Sequence, residues 1–384
     1  MSRAAEHLHA RLGASVFNDA IRDYAHGNLR RRTGLHIAAL ILSLVILATP
    51  FLTLAAGIAV LLIDFPNLLT LIVGAILIAT GWALIPRRHR RKETGLTRAD
   101  APAVYALLDR IADELGTDAP DDVLLDHQFN ASLFAPILSL APHTRLTVGL
   151  SLWEALSDQE RIALLAHELA HKVNDDNARG GPVGLARWVL ESWIYFLYPA
   201  DEVTYYDRRV YGEAPPGSLL TEILTGILYT VAEGLAVLLE RLEYLDHNRA
   251  EYLADALASE VAGTEAMAGL LSRLALADLV YRRMMGITPA SRSKGAALFD
   301  HIGEAAHDME SAEAVAALAR MEEELLTTDR SHPPTRFRIG FIEAIGPMEP
   351  AVTVTEEEMR AIDAEFAPKA AELAEKLCGQ LESQ

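Results

Sequence analysis

Two histidines, His167 and His171, stand four positions apart, with Glu168 directly after the first, in the segment LLAHELAHKVND. Residues four apart lie on one face of an α-helix with Cβ atoms about 5–6 Å apart, so both imidazoles can reach one metal ion. Glu168 would reach a water bound to that ion and accept its proton. The pattern H-E-x-x-H therefore predicts a metal site on a helix, but an ordinary Ala/Leu-rich helix with a solvated polar face can carry the same residues by chance.

A catalytic zinc site needs a third protein ligand. A third histidine in the pattern H-E-x-x-H-x-x-G-x-x-H is excluded, because Asn174 and Asn177 occupy the glycine and histidine positions. A glutamate on a later helix is the other common solution. The downstream candidates are Glu191, Glu222, Glu233, Glu240, Glu243 and Glu251.

Glu251 differs from the other candidates because an aspartate, Asp255, follows it by four residues on the same helix face. That aspartate is placed to accept the free N–H of a ligating histidine and so to orient the ring. The alternative is that both carboxylates, with Arg249, belong to a solvated helix face. His247, one turn before Glu251, is a further ligand candidate.

Composition limits both the class of protein and the kind of metal site. The formal net charge of −19 argues against a nucleic-acid partner, because a basic binding face is incompatible with that background. One cysteine, Cys378, excludes an internal disulfide and a cysteine-based zinc site, so histidines and carboxylates must hold any metal. Hydrophobic residues make up 51% of the chain beside 23% charged residues, which indicates that the apolar residues are concentrated in segments.

Two charge-free apolar runs, residues 37–63 and 68–85, are separated only by the short segment 64–67. A membrane-spanning helix needs about 20 apolar residues, so the two runs predict a transmembrane helical hairpin. The first run is too long for the apolar region of a cleavable signal peptide, which has about 7–15 residues.

Positive charge predicts the orientation of this hairpin. Arginines at positions 30–32 precede it, and a second cluster at residues 87–92 follows it. Lys and Arg next to membrane helices favour the cytoplasmic side. The sequence therefore predicts an integral membrane protein in which residues 1–34 form a cytoplasmic amphipathic helix and the chain after residue 86 begins in the cytoplasm. Leu8, Leu12, Val16, Ile21 and Tyr24 lie loosely on one face of that helix.

The segments DDVLLD and RLTVGL are rich in strand-forming residues and predict two short β-strands. Ser157 with Glu160, and Thr355 with Glu358, have the spacing of capping boxes, which predicts that helices begin there. The first of these helices carries the histidine motif, and the second is a final amphipathic helix.

Two further apolar segments, residues 183–200 and 219–239, each contain two charged residues. A charge at the centre of a bilayer costs roughly 2.5–3.5 kcal/mol on insertion scales. Two interpretations therefore stand: a second pair of membrane-spanning helices, or a pair of buried or membrane-surface helices.

The motifs HELAH, NRAEYLADALAS and SHPPTRFRI, in this order, resemble those of the HtpX-type integral-membrane zinc endopeptidases, a gluzincin group related to the CAAX prenyl proteases. This resemblance implies one zinc ion per chain, with Glu168 as general base. The resemblance also implies that the zinc ligands are His167, His171 and Glu251. It further implies that Asp255 supports the ligands and that His332 assists catalysis, with Arg338 in the same motif. Membrane helices between the histidine motif and the ligand glutamate in similar proteins favour spanning by residues 183–200 and 219–239.

The segment FNASLFAPILS departs from the N-A-F-A-x-G substrate edge of that family, since Ser132 and Leu133 intrude and no glycine follows. Asn130 still matches, so Asn130 and Arg338 are the candidates for contacts along the substrate edge. A CAAX protease is disfavoured, because those relatives have more spanning helices than this chain supplies.

The predicted fold is mainly α-helical with a small β-sheet, an α+β gluzincin domain joined to an N-terminal transmembrane hairpin. The predicted segments are a cytoplasmic helix (1–34), the hairpin (35–86), the protease domain (87–345) and a helical tail (346–384). The predicted activity is zinc-dependent hydrolysis of membrane or misfolded proteins at the cytoplasmic face of a bacterial inner membrane. The alternatives are a processing protease for one lipidated or signal-bearing substrate and a non-catalytic membrane scaffold.

Overall fold

A computed structural model of the chain describes residues 3–29, 34–63, 65, 67–86, 95–134, 143–173, 176–197, 219–285, 295, 297–307, 311–323 and 332–382. Both predicted clusters of positive charge beside the hairpin, at residues 30–32 and 87–92, lie outside these ranges. So do residues 135–139 of the predicted substrate edge and residues 198–200 of the third apolar segment.

The described part of the chain is mostly helical, with three short strands, which confirms the predicted fold class. The strands are β1 (Asp122–Asp126), β2 (Ala131–Phe134) and β3 (Arg145–Gly149). The helices up to the histidine motif are α1 (Arg3–Ala25), α2 (Gly34–Ile63), α3 (Leu68–Ala83), α4 (Pro102–Leu115), α5 (Leu150–Trp153) and α6 (Asp158–Val173). The later helices are α7 (Asp176–Leu197), α8 (Leu219–Ala262), α9 (Thr264–Leu274), α10 (Ala277–Met285), α11 (Ala297–His307), α12 (Ala312–Glu323), α13 (Thr335–Ile345) and α14 (Glu356–Glu382).

The chain forms two compact units. The first contains Met1–Arg31, Lys92–Asn177 and His247–Gln384, and the second contains Arg32–Arg91 and Ala178–Asp246. The N-terminal helix and the C-terminal tail both belong to the first unit. The first unit is therefore assembled from three separate stretches of chain.

The sheet of the first unit has the strand order β1-β3-β2, with β1 parallel and β2 antiparallel to β3. Strands β1 and β3 are the two strands predicted from DDVLLD and RLTVGL. Both are buried along most of their length, whereas the residues of β2 alternate between exposed and half-buried. Strand β2 is an edge strand of this sheet, and its backbone pairs with β3 on one side.

Helix α6 begins at the predicted capping box, where the carboxylate of Glu160 accepts the backbone N–H of Ser157 at 2.7 Å. Its apolar residues at helical spacing, including Ile162, Leu165 and Leu169, are buried in the core of the first unit. Since this packing fixes the rotation of α6, it also fixes the direction in which the histidine motif faces.

The C-terminal helix α14 is part of the same core. The predicted capping box is formed, since the Thr355 hydroxyl accepts the backbone N–H of Glu358 and the Glu358 carboxylate accepts the backbone N–H of Thr355. Further along α14, Glu365 accepts the backbone N–H groups of Ala103 and Val104 at 2.8 and 3.0 Å. These groups lie at the start of α4, whose own cap residue makes no side-chain hydrogen bond. The tail thus supplies the cap that α4 lacks.

The second unit contains α2 and α3, which pack closely through glycines. A Cβ atom on Gly57 would lie 2.9 Å from the carbonyl oxygen of Gly74, and one on Gly81 would lie 2.8 Å from that of Pro50. Glycine at these positions therefore lets the two helix backbones approach closely. Among the described residues, α2 is long and apolar enough to cross a membrane, with a mean hydropathy of 2.5, and α3 is a shorter apolar helix.

Helices α2, α7 and α8 share a second apolar core, which contains Ala39, Ile46, Val189, Leu190 and Leu239. The His36 side chain of α2 lies 2.9 Å from the Asp246 carboxylate of α8 within this unit. Large apolar side chains on the outer faces of α7 and α8 are exposed. These are Trp188, Tyr195, Phe196, Ile223, Ile227, Leu228, Val231, Val237 and Leu238.

Candidate metal centre

Helix α6 brings the two motif histidines together, as the four-residue spacing requires. The Nε2 atoms of His167 and His171 lie 3.3 Å apart, and the two rings stand nearly perpendicular with their centroids 4.8 Å apart. His167 and Glu168 are buried, and His171 is half-buried. Both imidazoles therefore point into one small region at the surface of the core.

Helix α8 places Glu251 opposite these imidazoles. One carboxylate oxygen lies 3.6 Å from Nε2 of His167, and the other lies 3.4 Å from Nε2 of His171. One ligand atom from each of the three residues can be chosen so that all lie within 4.8 Å of one another. This geometry singles out Glu251 from the other downstream glutamates that the sequence left as candidates.

The Glu251 carboxylate provides the test of whether a metal fits here. Its side chain is 0% exposed, and neither oxygen has a hydrogen-bond partner. A buried carboxylate that accepts no hydrogen bond carries a large desolvation cost, which a cation in direct contact with it would offset. Two imidazole nitrogens and one carboxylate oxygen, with further coordination positions left open, are the donor set of a catalytic zinc site. The residues fit a zinc ion.

Asp255 supports this site from one turn further along α8. Its Oδ1 lies 3.1 Å from Nδ1 of His167, the ring nitrogen on the side away from the ligand cluster. A carboxylate at that nitrogen fixes the ring orientation and the tautomer in which Nε2 is the electron-pair donor. This support of a ligating histidine is the role that the sequence predicts for Asp255.

Arg338, on α13, binds Asp255 through two parallel hydrogen bonds. Its Nε donates to Oδ2 at 2.9 Å and its Nη2 donates to Oδ1 at 2.6 Å. The arginine is only 4% exposed, so the structure places it in the interior beneath the ligands, whereas the sequence interpretation placed it along the substrate edge. Sequence reasoning missed its pairing with Asp255, because the two residues are 83 positions apart and the motif around His332 was the only signal.

The charges of this cluster depend on one another. Burial by itself raises the pKa of Glu251, but the positive groups of His332, His171 and Arg338 hold it well below its usual range. Burial likewise lowers the pKa of His167, but Asp255 and Glu251 raise it to about 9. The buried carboxylates of Glu251 and Asp255 thus strongly stabilise positive charge in this site. Metal binding at such a site releases protons, because ligation requires neutral imidazole.

Two further histidines approach the same carboxylate. Nε2 of His332 lies 3.7 Å from one oxygen of Glu251, and Nε2 of His247 lies 3.6 Å from the other. Their ring centroids are 6.3 Å apart. Both side chains are more than one third exposed, unlike His167, so they lie on the solvent side of the cluster. The sequence had named both, His332 as a catalytic helper and His247 as an additional ligand candidate.

The predicted substrate edge corresponds to β2 and the residue before it. Asn130 is exposed, and its backbone carbonyl accepts the N–H of Gly149 at 2.9 Å, so its main chain continues the pairing of β2 with β3. Strand β2 also lies against α6, the helix of the histidine motif. Within the described ranges, no strand pairs with the outer side of β2.

The amino-acid sequence matches the model of peptidase family M48 over residues 98–345. No curated protein and no solved structure matches the chain. The family match spans more than half of the sequence and includes every residue of the metal centre. The chain therefore belongs to peptidase family M48, and it is a metallopeptidase.

Proposed function

We propose that this member of peptidase family M48 is an HtpX-type, membrane-bound zinc endopeptidase that cleaves membrane or misfolded proteins on the cytoplasmic side. The observation that carries the proposal is the buried carboxylate of Glu251, which accepts no hydrogen bond and lies opposite the imidazoles of His167 and His171. In the described part of the chain, this is the single group of three His, Cys, Asp or Glu side chains close enough to share an ion. One zinc ion per chain is the expected stoichiometry.

His167, His171 and Glu251 would hold the zinc, which supplies Lewis acidity to the scissile carbonyl and to the attacking water. Glu168, next to His167 on α6, takes the proton from that water and returns it to the leaving amine. Asp255 keeps His167 in its ligating tautomer, and its two hydrogen bonds from Arg338 keep the carboxylate in place and ionised.

His332 is assigned to the oxyanion that forms on the substrate carbonyl. Its ring lies on the solvent side of Glu251, where a substrate can approach, and Pro333 and Pro334 follow it directly. Proline fixes the backbone φ angle near −65°, which restricts the direction in which the preceding segment can present a side chain. An imidazole N–H in this position can donate to the developing negative charge.

The substrate main chain is expected to extend the sheet along β2. An edge strand offers unpaired backbone groups, and an extended peptide binds them as an added strand. Asn130 lies at the start of this edge, and β2 lies against the helix that carries Glu168. Such a mode selects unfolded or extended polypeptides, which agrees with misfolded or membrane proteins as substrates.

The second unit is the proposed membrane anchor. Helices α2 and α3 form the hairpin, and the exposed apolar faces of α7 and α8 support a second pair of membrane helices. Residues before and after the hairpin belong to the same compact first unit. An even number of crossings is required to bring both stretches to one side, and the flanking arginines favour the cytoplasm, at a bacterial inner membrane.

Cysteine labelling tests this topology. In a Cys378→Ser background, single cysteines at His26 and Asp100 should react only with reagent on the cytoplasmic side, and one at Phe65 only from outside. All three positions are exposed. Labelling of the Asp100 position from outside would contradict the proposed location of the active site.

The activity is tested with full-length protein purified in detergent. We expect about one zinc per chain, hydrolysis of an unfolded protein such as casein, and loss of hydrolysis on treatment with a chelator. Glu168→Gln is the matched variant, because it removes the base and leaves all three ligands. It should retain zinc and lose hydrolysis. A wild-type protein without stoichiometric zinc, or an active Glu168→Gln variant, would contradict the proposal.

A further inference from the structure

Helix α1 precedes the hairpin and lies outside the family match, yet its aromatic residues pack against the helices of the metal centre. The Phe17 ring lies 5.5 Å from that of Phe337 and 6.4 Å from that of Tyr252. The Tyr24 ring meets that of Phe341 edge to face at 6.0 Å, and Phe341 in turn contacts Tyr252 at 5.0 Å. These five rings, the aromatic cluster, join α1 to α8 and α13.

An ion pair fixes the other end of α1 to α8. The Asp23 carboxylate accepts a hydrogen bond from Arg249, and the same guanidinium donates to the backbone carbonyl of Asn28 at 2.8 Å. The side chains of Asp23 and Arg249 are 23% and 16% exposed, so the pair is well shielded from water. A partly buried, charge-assisted bond of this kind is stronger and more directional than an exposed one.

The partners of α1 are the sequence neighbours of the site residues. Tyr252 follows Glu251 directly, Arg249 precedes it by two positions, and Phe337 directly precedes Arg338. Tyr252 and Phe341 are almost fully buried, so they transmit a displacement of α1 to the backbone that carries them. Glu251 faces His171 at 3.4 Å and Arg338 at 3.5 Å across the site, so these separations depend on the placement of α8 relative to α6 and α13.

We propose that α1 is a positioning element of the metal centre, and that Phe17 and Asp23 are positioning residues that set α8 and α13 at the separation the site requires. Phe17 lies between Tyr252 and Phe337, one on each helix, and so spaces the two helices. Asp23 fixes the turn of α8 that ends at Glu251. This inference rests on the proposed zinc site, because its effect is exerted on the placement of Glu251 and Arg338.

The consequence is that the segment before the membrane hairpin is required for metal binding and turnover as well as for stability. A purely structural α1 would lower the melting temperature of the protein and leave the zinc affinity of the folded protein unchanged. A positioning α1 changes the zinc affinity and kcat at temperatures at which the protein is fully folded. These two roles are therefore separable by measurement.

The test uses full-length protein in detergent with the variants Phe17→Ala, Asp23→Asn and Asp23→Glu. Asp19→Asn is the matched control, because it removes a carboxylate of the same helix whose ion pair with Arg22 is exposed. Zinc dissociation constants are measured by competition with a chelator, and kcat and KM with an unfolded protein substrate. Melting curves establish that each variant is folded at the assay temperature.

We expect Phe17→Ala and Asp23→Asn to weaken zinc binding by roughly 3- to 10-fold, below the 10- to 100-fold typical of residues that directly support a ligand. Their kcat should fall with little change in KM. Asp23→Glu should recover most of the loss, and Asp19→Asn should match the wild type. If Phe17→Ala does not fold, the Asp23 variants decide the result.

Wild-type zinc affinity and kcat in the Asp23→Asn variant, with or without a lower melting temperature, would overturn the inference and leave the zinc site intact. Absence of zinc from the wild-type protein would instead overturn the proposed function and the inference with it. The two failures are thus distinguishable in one set of measurements.

Discussion

Replacement of Arg338 by methionine tests how much the Arg338–Asp255 pair contributes to the metal centre. The change removes both hydrogen bonds to Asp255 and leaves a carboxylate that is 0% exposed without its cationic partner. Removing one member of a buried ion pair costs about 3–5 kcal/mol of folding stability. Because Asp255 also lies 3.1 Å from His167, we expect zinc affinity to fall by roughly 10- to 100-fold as well.

The chain offers a matched control at a second arginine–aspartate pair. Arg145 donates from its guanidinium to Asp122 within the sheet, and both side chains are largely buried. Arg145→Met should lower the melting temperature without a change in zinc affinity, because this pair joins β1 to β3 and holds no ligand. The assays are thermal unfolding and chelator competition, carried out on both variants in the same detergent.

A double variant separates the two effects of Arg338. Replacing Asp255 by leucine together with Arg338→Met removes both members of the hydrogen-bonded pair, so part of the lost stability should return, although Glu251 still lacks the guanidinium that lies 3.5 Å from it in the wild type. Zinc affinity should stay low, since His167 still lacks the carboxylate that orients it. Wild-type zinc affinity in either the single or the double variant would refute the reasoning that Arg338 and Asp255 act on the ligands.

Other predictions concern the ligands and the pH dependence of stability. Glu251→Ala should lose both zinc and hydrolysis, as measured by metal content; retention of one zinc per chain would make His247 the next candidate for the third ligand. His332→Ala should keep zinc and fold but lose roughly 10²–10³ in turnover, the scale for one oxyanion donor; loss of metal would indicate a ligand instead. Burial raises the pKa of Glu154 to about 7, with Arg161 opposing this shift and nearby carboxylates adding to it. Because the pKa of Glu154 is higher in the folded state than in the unfolded state, its contribution to the free energy of unfolding is fully present below the pKa of the unfolded state. That contribution is lost as the pH rises through about 7. The wild type should therefore lose on the order of 2 kcal/mol of unfolding free energy through this group between pH 5 and pH 8, and Glu154→Gln should not show that loss. Unfolding measured at both pH values for both proteins checks this.

Local sequence patterns predicted the parts of this molecule that depend on neighbouring residues. The spacing of His167 and His171 placed both imidazoles on one face of α6, and the capping residues Ser157 and Thr355 marked the starts of two helices. Strands β1 and β3 followed from segments rich in β-forming residues. Each of these features is determined within a few positions of the chain.

Features that join distant segments were not predictable in the same way. Nothing local to Glu365 indicates that it caps α4, since the two are more than 250 positions apart. The pairing of Arg338 with Asp255 and the packing of Phe17 against Tyr252 likewise join residues that are far apart in the sequence. Amphipathic periodicity identified a buried face on α1, where Val16, Ile21 and Tyr24 do pack against the core, but it could not name what that face contacts. Leu8 and Leu12, the other residues of that face, have side chains outside the described part of the chain.

The division of the first unit into three stretches has a consequence for biosynthesis. Asp23 leaves the ribosome 226 residues ahead of Arg249, and both stretches of the second unit are synthesised between them. At roughly 5–20 residues per second, translation needs on the order of tens of seconds to supply the missing partners. In the last part of that time the nascent chain contains His167 and His171 but still lacks Glu251 and Arg338. The three ligands and the arginine that supports them therefore come together only after the chain has been synthesised as far as Arg338.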